Sequence, residues 1–514
     1  MSVSRRSILV GGAAGVGSVA ALAVAGTIPS LSEASASPSH SPGHGHGKPK
    51  HPKLTTGGRP FPPLQDDPNG ILALPAGFSY TIVTNAVDLA LASGTKARTA
   101  LSGSQGLTPS NADGTAVVAS GWDGYTLIQN HELRKDAPAG VPNVTGTVYD
   151  ALVVNGGGCT VINTDRDGNL ISESVGISGT LSNCAGGPTP WGTWLTCEET
   201  DQKAAAGSYE KDHGYVFEVF ADGKPNPTPL KALGRFAHEA VAVEPKRNRI
   251  FLTEDASGPT GLVYRWTAPK GVKLGKGLAK KGLADAGFGT FEAMQILLDD
   301  GSLLSDVAYI TSAQLGRPFK VTWTPVQDRD ATTTSVRKQF ADGTVTHGKK
   351  FEGIWSDGDK GAYIVNSYAF GSSDLPADAT KHDGMVWFYD FDEETITLVT
   401  YFPHNPQSED EGVPPKFQDL VFDGPDNVSV TPWGTLILAE DGARASHVLS
   451  AVPGGPAYAI ARNMLANGDA PDGSPTYSEF TGPTFSPDGK VLFVNIQVPG
   501  ITLAITGPWQ EYLD

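Results

Sequence analysis

Residues Gly179–Thr200 read GTLSNCAGGPTPWGTWLTCEET, and this stretch decides how the whole chain is read. Thr193–Thr196 is β-branched and aromatic, which predicts a short buried strand, and the PTPWG before it predicts the turn that feeds the strand. Ahead of the turn, Asn183 and the AGG that follows place Cys184 on a tight loop. After the strand come two carboxylates, Glu198 and Glu199. Oxygen ligands favour hard cations such as calcium, and a thiolate added to them shifts the preference toward a transition metal.

The same pattern recurs. TPWGTLILAED (431–441) repeats TPWGTWLTCEE (189–199) almost residue for residue. Looser copies are WDGYTLIQNHE (122–132), PKRNRIFLTED (245–255), DKGAYIVNS (359–367) and SPDGKVLFVNIQ (486–497). Several continue through a glycine into an aromatic strand: GYVFEVF (214–220), GLVYRW (261–266) and GMVWFYDF (384–391). Each unit is therefore a β-meander, and the strand-end polar residues recur every ~55 to 75 residues. The expected fold is all-β, a propeller of about six blades with long connecting loops. Glu132, Glu198, Glu239, Glu254, Glu352 and Glu440 would then gather at one mouth of a central channel. Crowded carboxylates repel and burial raises their pKa, so bound cations would cancel the cost. Solvated strand ends are the alternative for any single acid. Between Ala268 and Lys350 the repeat fades: GVKLGKGLAKKGLADAGFG (271–289) predicts a surface excursion, and FEAMQILL (291–298) fits a strand or a short helix.

The chain opens with Arg5-Arg6 before a Gly- and Ala-rich apolar run, with the small residues Ala34-Ser35-Ala36 after it. That predicts a twin-arginine export signal over residues 1–36, delivery to the periplasm or the extracellular medium, and no stable membrane anchor. Residues 37–60, rich in His, Pro, Gly and Lys, predict a disordered linker in which His40, His44, His46 and His51 are solvated or capture metal weakly. Residues 61–514 are then one catalytic propeller domain. The 514 residues include 55 acidic and 38 basic side chains, a net charge of −17, which argues against nucleic acid or an anionic membrane as partner. Three cysteines, Cys159, Cys184 and Cys197, leave at least one thiol unpaired within the chain; a Cys184–Cys197 disulfide stays open as an alternative to packed thiols. Nothing like a coiled coil is visible, so a monomer is expected.

GTLSNCAGGPTPWGTWLTCEET, QNHE (129–132), GRFAHEA (234–240), FEGIW (351–355), GPDNVSVTPWGTLILAED (424–441) and EFTGPTFSPDGKVLFVNIQVPGITLAITGPW (479–509) resemble the PhoX-type alkaline phosphatases, in order, from about Pro60 to the C-terminus. The resemblance implies a six-bladed propeller with ferric iron and calcium in its channel, hydrolysing phosphate monoesters. It implies that Cys184 and Glu239 ligate iron, and that Glu132, Glu198, Glu199, Glu352 and Asp426 fall on or beside positions that bind the remaining ions. Where the family grips phosphate with an arginine, two residues before the glutamate, this chain has Lys350, which keeps the charge but loses the bidentate fork. Lys350 and Glu352 are therefore the expected catalytic pair. A phosphodiesterase, a calcium-dependent lactonase or esterase, and a non-catalytic metal-stabilised propeller are the rival functions.

Overall fold

The twin TPWGT segments fold alike. The Gly192 amide donates to the Thr189 carbonyl at 3.1 Å and the Gly434 amide to the Thr431 carbonyl at 3.0 Å. Both glycines are left-handed, with φ of 76° and 89°, a conformation that costs glycine nothing. The hydroxyls of Thr189 and Thr431 accept from the amides of Thr193 and Thr435, each at 3.0 Å. Each turn therefore launches a strand in fixed register: Thr193–Glu198 between Asn183–Pro188 and Val216–Phe220, and Leu436–Glu440 between Pro425–Val430 and His447–Ala451.

The computed structural model describes residues 59–513 except 122, 257, 368–383, 403–421, 423, 442–444 and 470–474. The expected export signal and nearly all of the expected linker, with its four histidines, lie outside the described residues. Among the described residues, no helix is long and apolar enough to cross a membrane.

Strand groups succeed one another around a channel. On its wall lie Ala112–Ser120, Asn183–Pro188, His238–Glu244, Phe351–Asp357, Pro425–Val430 and Phe480–Phe485. These inner strands adjoin one another in that order, and the last adjoins the first. From each, further strands follow outward in antiparallel pairing. Pro318–Pro325 pairs with Thr395–Phe402, which fuses two neighbouring groups into one long sheet. The N-terminal strand Ser79–Asn85 pairs with Ile501–Thr506 near the C-terminus, and Leu72–Pro75 pairs with Ala457–Asn463. The two ends of the chain thus close the ring. The architecture is the expected all-β propeller.

Packing follows from the sequence pattern. Trp194, Trp266 and Trp387 are buried between strand groups, and burial of such large apolar side chains is the main stabilising term. At the wall the inner strands come very close. A Cβ on Gly114 would lie 2.6 Å from Ala185 Cα, so only glycine fits there. The segment 291–298, open to either reading in the sequence, falls almost wholly in a strand, Thr290–Leu297. Cys184 corrects an expectation: it lies in the inner strand Asn183–Pro188, not on a tight loop, because the loop-like NCAGG is a bulged strand whose glycines let its neighbours approach. All three cysteines are buried and free, so the Cys184–Cys197 disulfide does not form.

Candidate metal centre at the channel mouth

A repeated irregularity builds the site. Each inner strand slips by one residue against its partner just after its start: Ala112 faces His131 but Thr115 faces Gln129, and Asn183 faces Glu198 but Gly186 faces Thr196. The same slip recurs after His238, Phe351, Pro425 and Thr481. A bulge re-aims the side chains it carries. The bulges carry Asp113, Cys184, Glu239, Glu352 and Asp426, each the second residue of its inner strand. A second set comes from the residues just past the partner strands' ends: Glu132, Glu199, Asp255, Ser367, Asp441 and Gln497.

The two sets converge. Asp113, Glu132 and Cys184 form one group, Cys184, Glu199 and Glu239 a second, and Glu239, Asp255 and Glu352 a third; in each, a ligand atom from every member lies within 4.8 Å of the others. Shared members make these groups one contiguous arc. Asp426, Asp441 and Glu479 form a fourth group by the same measure. Within the arc, Cys184 Sγ is 3.1 Å from Glu239 Oε1, and the Gln497 amide donates to Asp113 Oδ2 (2.9 Å) and Glu132 Oε2 (3.0 Å). Lys350 Nζ pairs with Glu352 Oε1 and reaches Asp255 Oδ2 at 3.6 Å, while the Ser367 hydroxyl donates to Glu352 Oε1 at 2.8 Å. Lys350 itself is left-handed, with φ of 56°. Its carbonyl accepts from the Ser367 amide at 3.2 Å and the Asn366 side chain at 3.3 Å. Such a backbone in a non-glycine residue persists where its surroundings impose it.

Electrostatics favour cations here. Burial, then Glu352, Glu199, Asp426 and Asp255, push the Glu239 carboxyl well above its usual range. Glu352 rises chiefly by burial, against the pull of Lys350. Burial, then Asp113 and Glu239, likewise raise the Cys184 thiol. Glu239 Oε2 and Glu352 Oε2 are buried without a hydrogen-bond donor among the described residues. Buried carboxylate oxygens left this way are costly unless an ion takes them. Carboxylates plus one thiolate suit hard cations together with a transition metal, so the residues fit the metal-dependent chemistry expected of them.

A pH dependence follows. A carboxyl whose folded pKa is raised binds more protons folded than unfolded, so stability falls as pH rises from the unfolded value toward the folded one. Metal-free protein is therefore expected to melt at higher temperature near pH 5 than near pH 8, with bound metal offsetting the loss at pH 8. Calorimetry in chelator and in calcium checks this; a metal-free melting curve that climbs from pH 5 to pH 8 would contradict it.

Three expected ligands are not brought to the arc or to the fourth group: Glu198, Glu254 and Glu440. Each is the last residue of its strand, and alternation turns it away from the residue that follows. Glu198 accepts from His213 Nδ1 (2.6 Å) and from the amides of Leu181, Gly214 and Tyr215, and His213 Nε2 lies 3.3 Å from Asp150 Oδ2. Glu254 accepts from the Tyr264 hydroxyl (2.6 Å) and Arg337 (2.9 Å). Glu440 accepts from His447, through its amide at 3.0 Å and its ring at 2.7 Å. These acids brace the sheets. Glu132, Cys184, Glu199, Glu239, Glu352 and Asp426 are brought to the groups. Asp113, Asp255, Asp441 and Glu479 were missed by sequence reasoning. Asp255 and Asp441 stood in view as the second acid of TED and AED, and the offset seen at Glu198-Glu199 would have selected them.

A family model described as alkaline phosphatase PhoX matches residues 59–500. No curated protein matches. Among solved structures, the chain is similar to Pseudomonas fluorescens PhoX in complex with vanadate, a transition state analogue: 18% identity, TM-score 0.59, covering 88% of this chain and 98% of that one. A gluconolactonase from Xanthomonas campestris is similar at 12% identity and TM-score 0.34, over 88% of this chain and 99% of that one.

Proposed function

The chain belongs to the alkaline phosphatase PhoX family and is a phosphoric ester hydrolase, and from that premise we propose that it hydrolyses phosphate monoesters at the channel mouth with ferric iron and calcium held by the acid arc. The observation that carries this is the shared position of Glu239, which belongs to two acid groups at once, with Lys350 beside Glu352 at the same mouth. In this reading Cys184, Glu239 and their neighbours hold the iron, and Glu132, Glu199, Asp255, Glu352 and Asp426 hold the remaining ions. When bound, the ions supply Lewis-acid charge that polarises the ester and lowers the pKa of water.

The chain's own residues do the rest. Lys350 offers an ammonium to the phosphoryl oxygens, in exchange for its pairing with Glu352 and Asp255. The Ser367 hydroxyl and the Gln497 amide hold the carboxylates of Glu352, Asp113 and Glu132 in orientation. The place of Cys184 inside two groups supports iron and calcium together over a calcium-only lactonase, which has no use for a thiolate. Arg5-Arg6 and the apolar run after them support export of a folded, metal-loaded protein by the twin-arginine machinery to the periplasm or beyond.

Hydrolysis of a chromogenic phosphate monoester at alkaline pH, with metal analysis of the mature protein, tests this. Turnover with iron and calcium bound is expected; bound calcium without phosphate release would send the search to carboxylic esters. Lys350→Ala should raise KM about ten- to a hundred-fold, the loss of one charge-assisted contact. Lys350→Arg should restore most of the binding.

A further inference from the structure

The bulges that aim the acids leave their carbonyls off the ladder, and the structure shows what takes them. Thr253 is the penultimate residue of Arg249–Glu254; its hydroxyl is buried and donates to the Glu352 carbonyl of the next strand group at 2.6 Å, while accepting from the Ala240 amide at 3.1 Å. Asn130 holds the same place in Tyr125–His131. Its side-chain amide donates to the carbonyls of Cys184 (3.0 Å) and Ala185 (2.7 Å), and its oxygen accepts from Trp194 Nε1 at 2.9 Å. Asn495 holds it in Val491–Ile496, donating to the Asp113 carbonyl at 2.7 Å and to Thr115 Oγ1 at 2.9 Å. All three are fully buried.

We propose that Thr253, Asn130 and Asn495 are positioning residues, each latching the bulge of the next strand group around the ring so that Glu352, Cys184 and Asp113 face the metals. The latches run in one direction, and they fall on bulges of the contiguous acid arc. At the equivalent places Cys197, Val365 and Ala439 stand instead: Cys197 precedes the bulge of Glu239, the one arc bulge with a thiol in place of the latch, and Val365 and Ala439 precede the bulges of Asp426 and Thr481, outside the arc. A regular ladder would satisfy these carbonyls without side chains; at a bulge side-chain donors take that place, from the neighbouring group and, for the Asp113 carbonyl, also from the Thr115 hydroxyl of its own strand at 2.7 Å, since a buried carbonyl without a donor is as costly as a lost hydrogen bond. Freed of the latch, the strand can drop back into register, which turns the ligand to the wrong face.

The inference rests on the metal reading above, so its test has one arm without metal. Thr253→Val removes the donor and keeps the shape; Thr253→Ser keeps the donor. Thr193→Val serves as control, since it breaks the buried hydrogen bonds of Thr193 to Glu218 and Thr189 at the far end of a strand. In chelator, hydrogen exchange of the 350–357 segment should quicken in Thr253→Val and not in Thr253→Ser or Thr193→Val. In the calcium titration, followed by calorimetry on the metal-free protein, Thr253→Val should bind about ten-fold more weakly or worse, with Thr253→Ser restored. Native exchange overturns the latch. Faster exchange with native calcium affinity also overturns it as a positioning device, leaving a structural hydrogen bond. Should the wild type bind no calcium, the metal reading fails, and exchange alone decides the latch. Should Thr253→Val not fold, Thr253→Cys, a weak donor at the same place, is expected to fall between wild type and that loss, and native behaviour there overturns the proposal.

Discussion

Glu239→Gln is expected to lower kcat/KM for a phosphate monoester by about a thousand-fold or more and to strip metal from the purified protein, the loss of several kcal/mol of transition-state stabilisation. Glu239 is buried, second in its inner strand, and belongs to both the Cys184–Glu199 and the Asp255–Glu352 groups. One carboxylate lost there weakens two neighbouring sites, whereas loss of an acid in a single group weakens one. Glutamine keeps the volume and removes the charge, so the fold should hold. Indeed, because repulsion from Glu352 and Glu199 is relieved, the metal-free variant should melt no lower than metal-free wild type. Metal analysis, initial rates and calorimetry on the same preparations check all three points. Native metal content with intact turnover would refute the assignment of Glu239.

Glu198 and Glu199 are adjacent in sequence and should behave as opposites. Glu198→Ala is expected to cost about 3–5 kcal/mol of stability, the usual penalty for removing one partner of a buried ionic network. It leaves His213 buried beside Asp150, and the amides of Leu181, Gly214 and Tyr215 without their acceptor. Burial works to lower the His213 pKa, but Glu198 and Asp150 raise it above the ordinary 6.5. A raised histidine contributes stability that is fully present below its unfolded pKa and is lost as pH rises through the folded one. The destabilisation should therefore be largest below about pH 6.5 and shrink at alkaline pH. Glu199→Gln should instead melt close to wild type in chelator and lose metal and activity. Denaturant titrations at pH 6 and pH 9, beside metal analysis, separate the two; a stable Glu198→Ala with depleted metal would reverse the roles assigned here.

Much of this protein was legible in the chain because it repeats. The duplicate TPWGT turns and the alternating strands after them depend on local forces: a threonine hydroxyl that accepts an amide, a glycine that turns left-handed, β-branched residues that fit a pleated face. These act within a few residues, so the all-β meander and the gathering of strand-end acids could be read directly. Cys184, Glu239 and Glu352, each the second residue of a recognisable motif, could be singled out in the same way, and the fold brings them into the acidic groups.

What the chain by itself determined, then, is the turn, the strand and the presence of acid at the strand end. Which acid of each pair joins the acidic groups at the channel was decided only by the tertiary structure. In a strand, a shift of one residue reverses the face, and the partner strand, not the local sequence, sets where the ladder stops. Glu198, Glu254 and Glu440 end their ladders and turn to His213, Tyr264 and His447; Glu199, Asp255 and Asp441 lie one residue beyond and turn to the channel. Asp113 and the latch residues Thr253, Asn130 and Asn495 were hidden for the same reason. Their role exists only between neighbouring strand groups, where a side chain from one reaches a bulged carbonyl of the next.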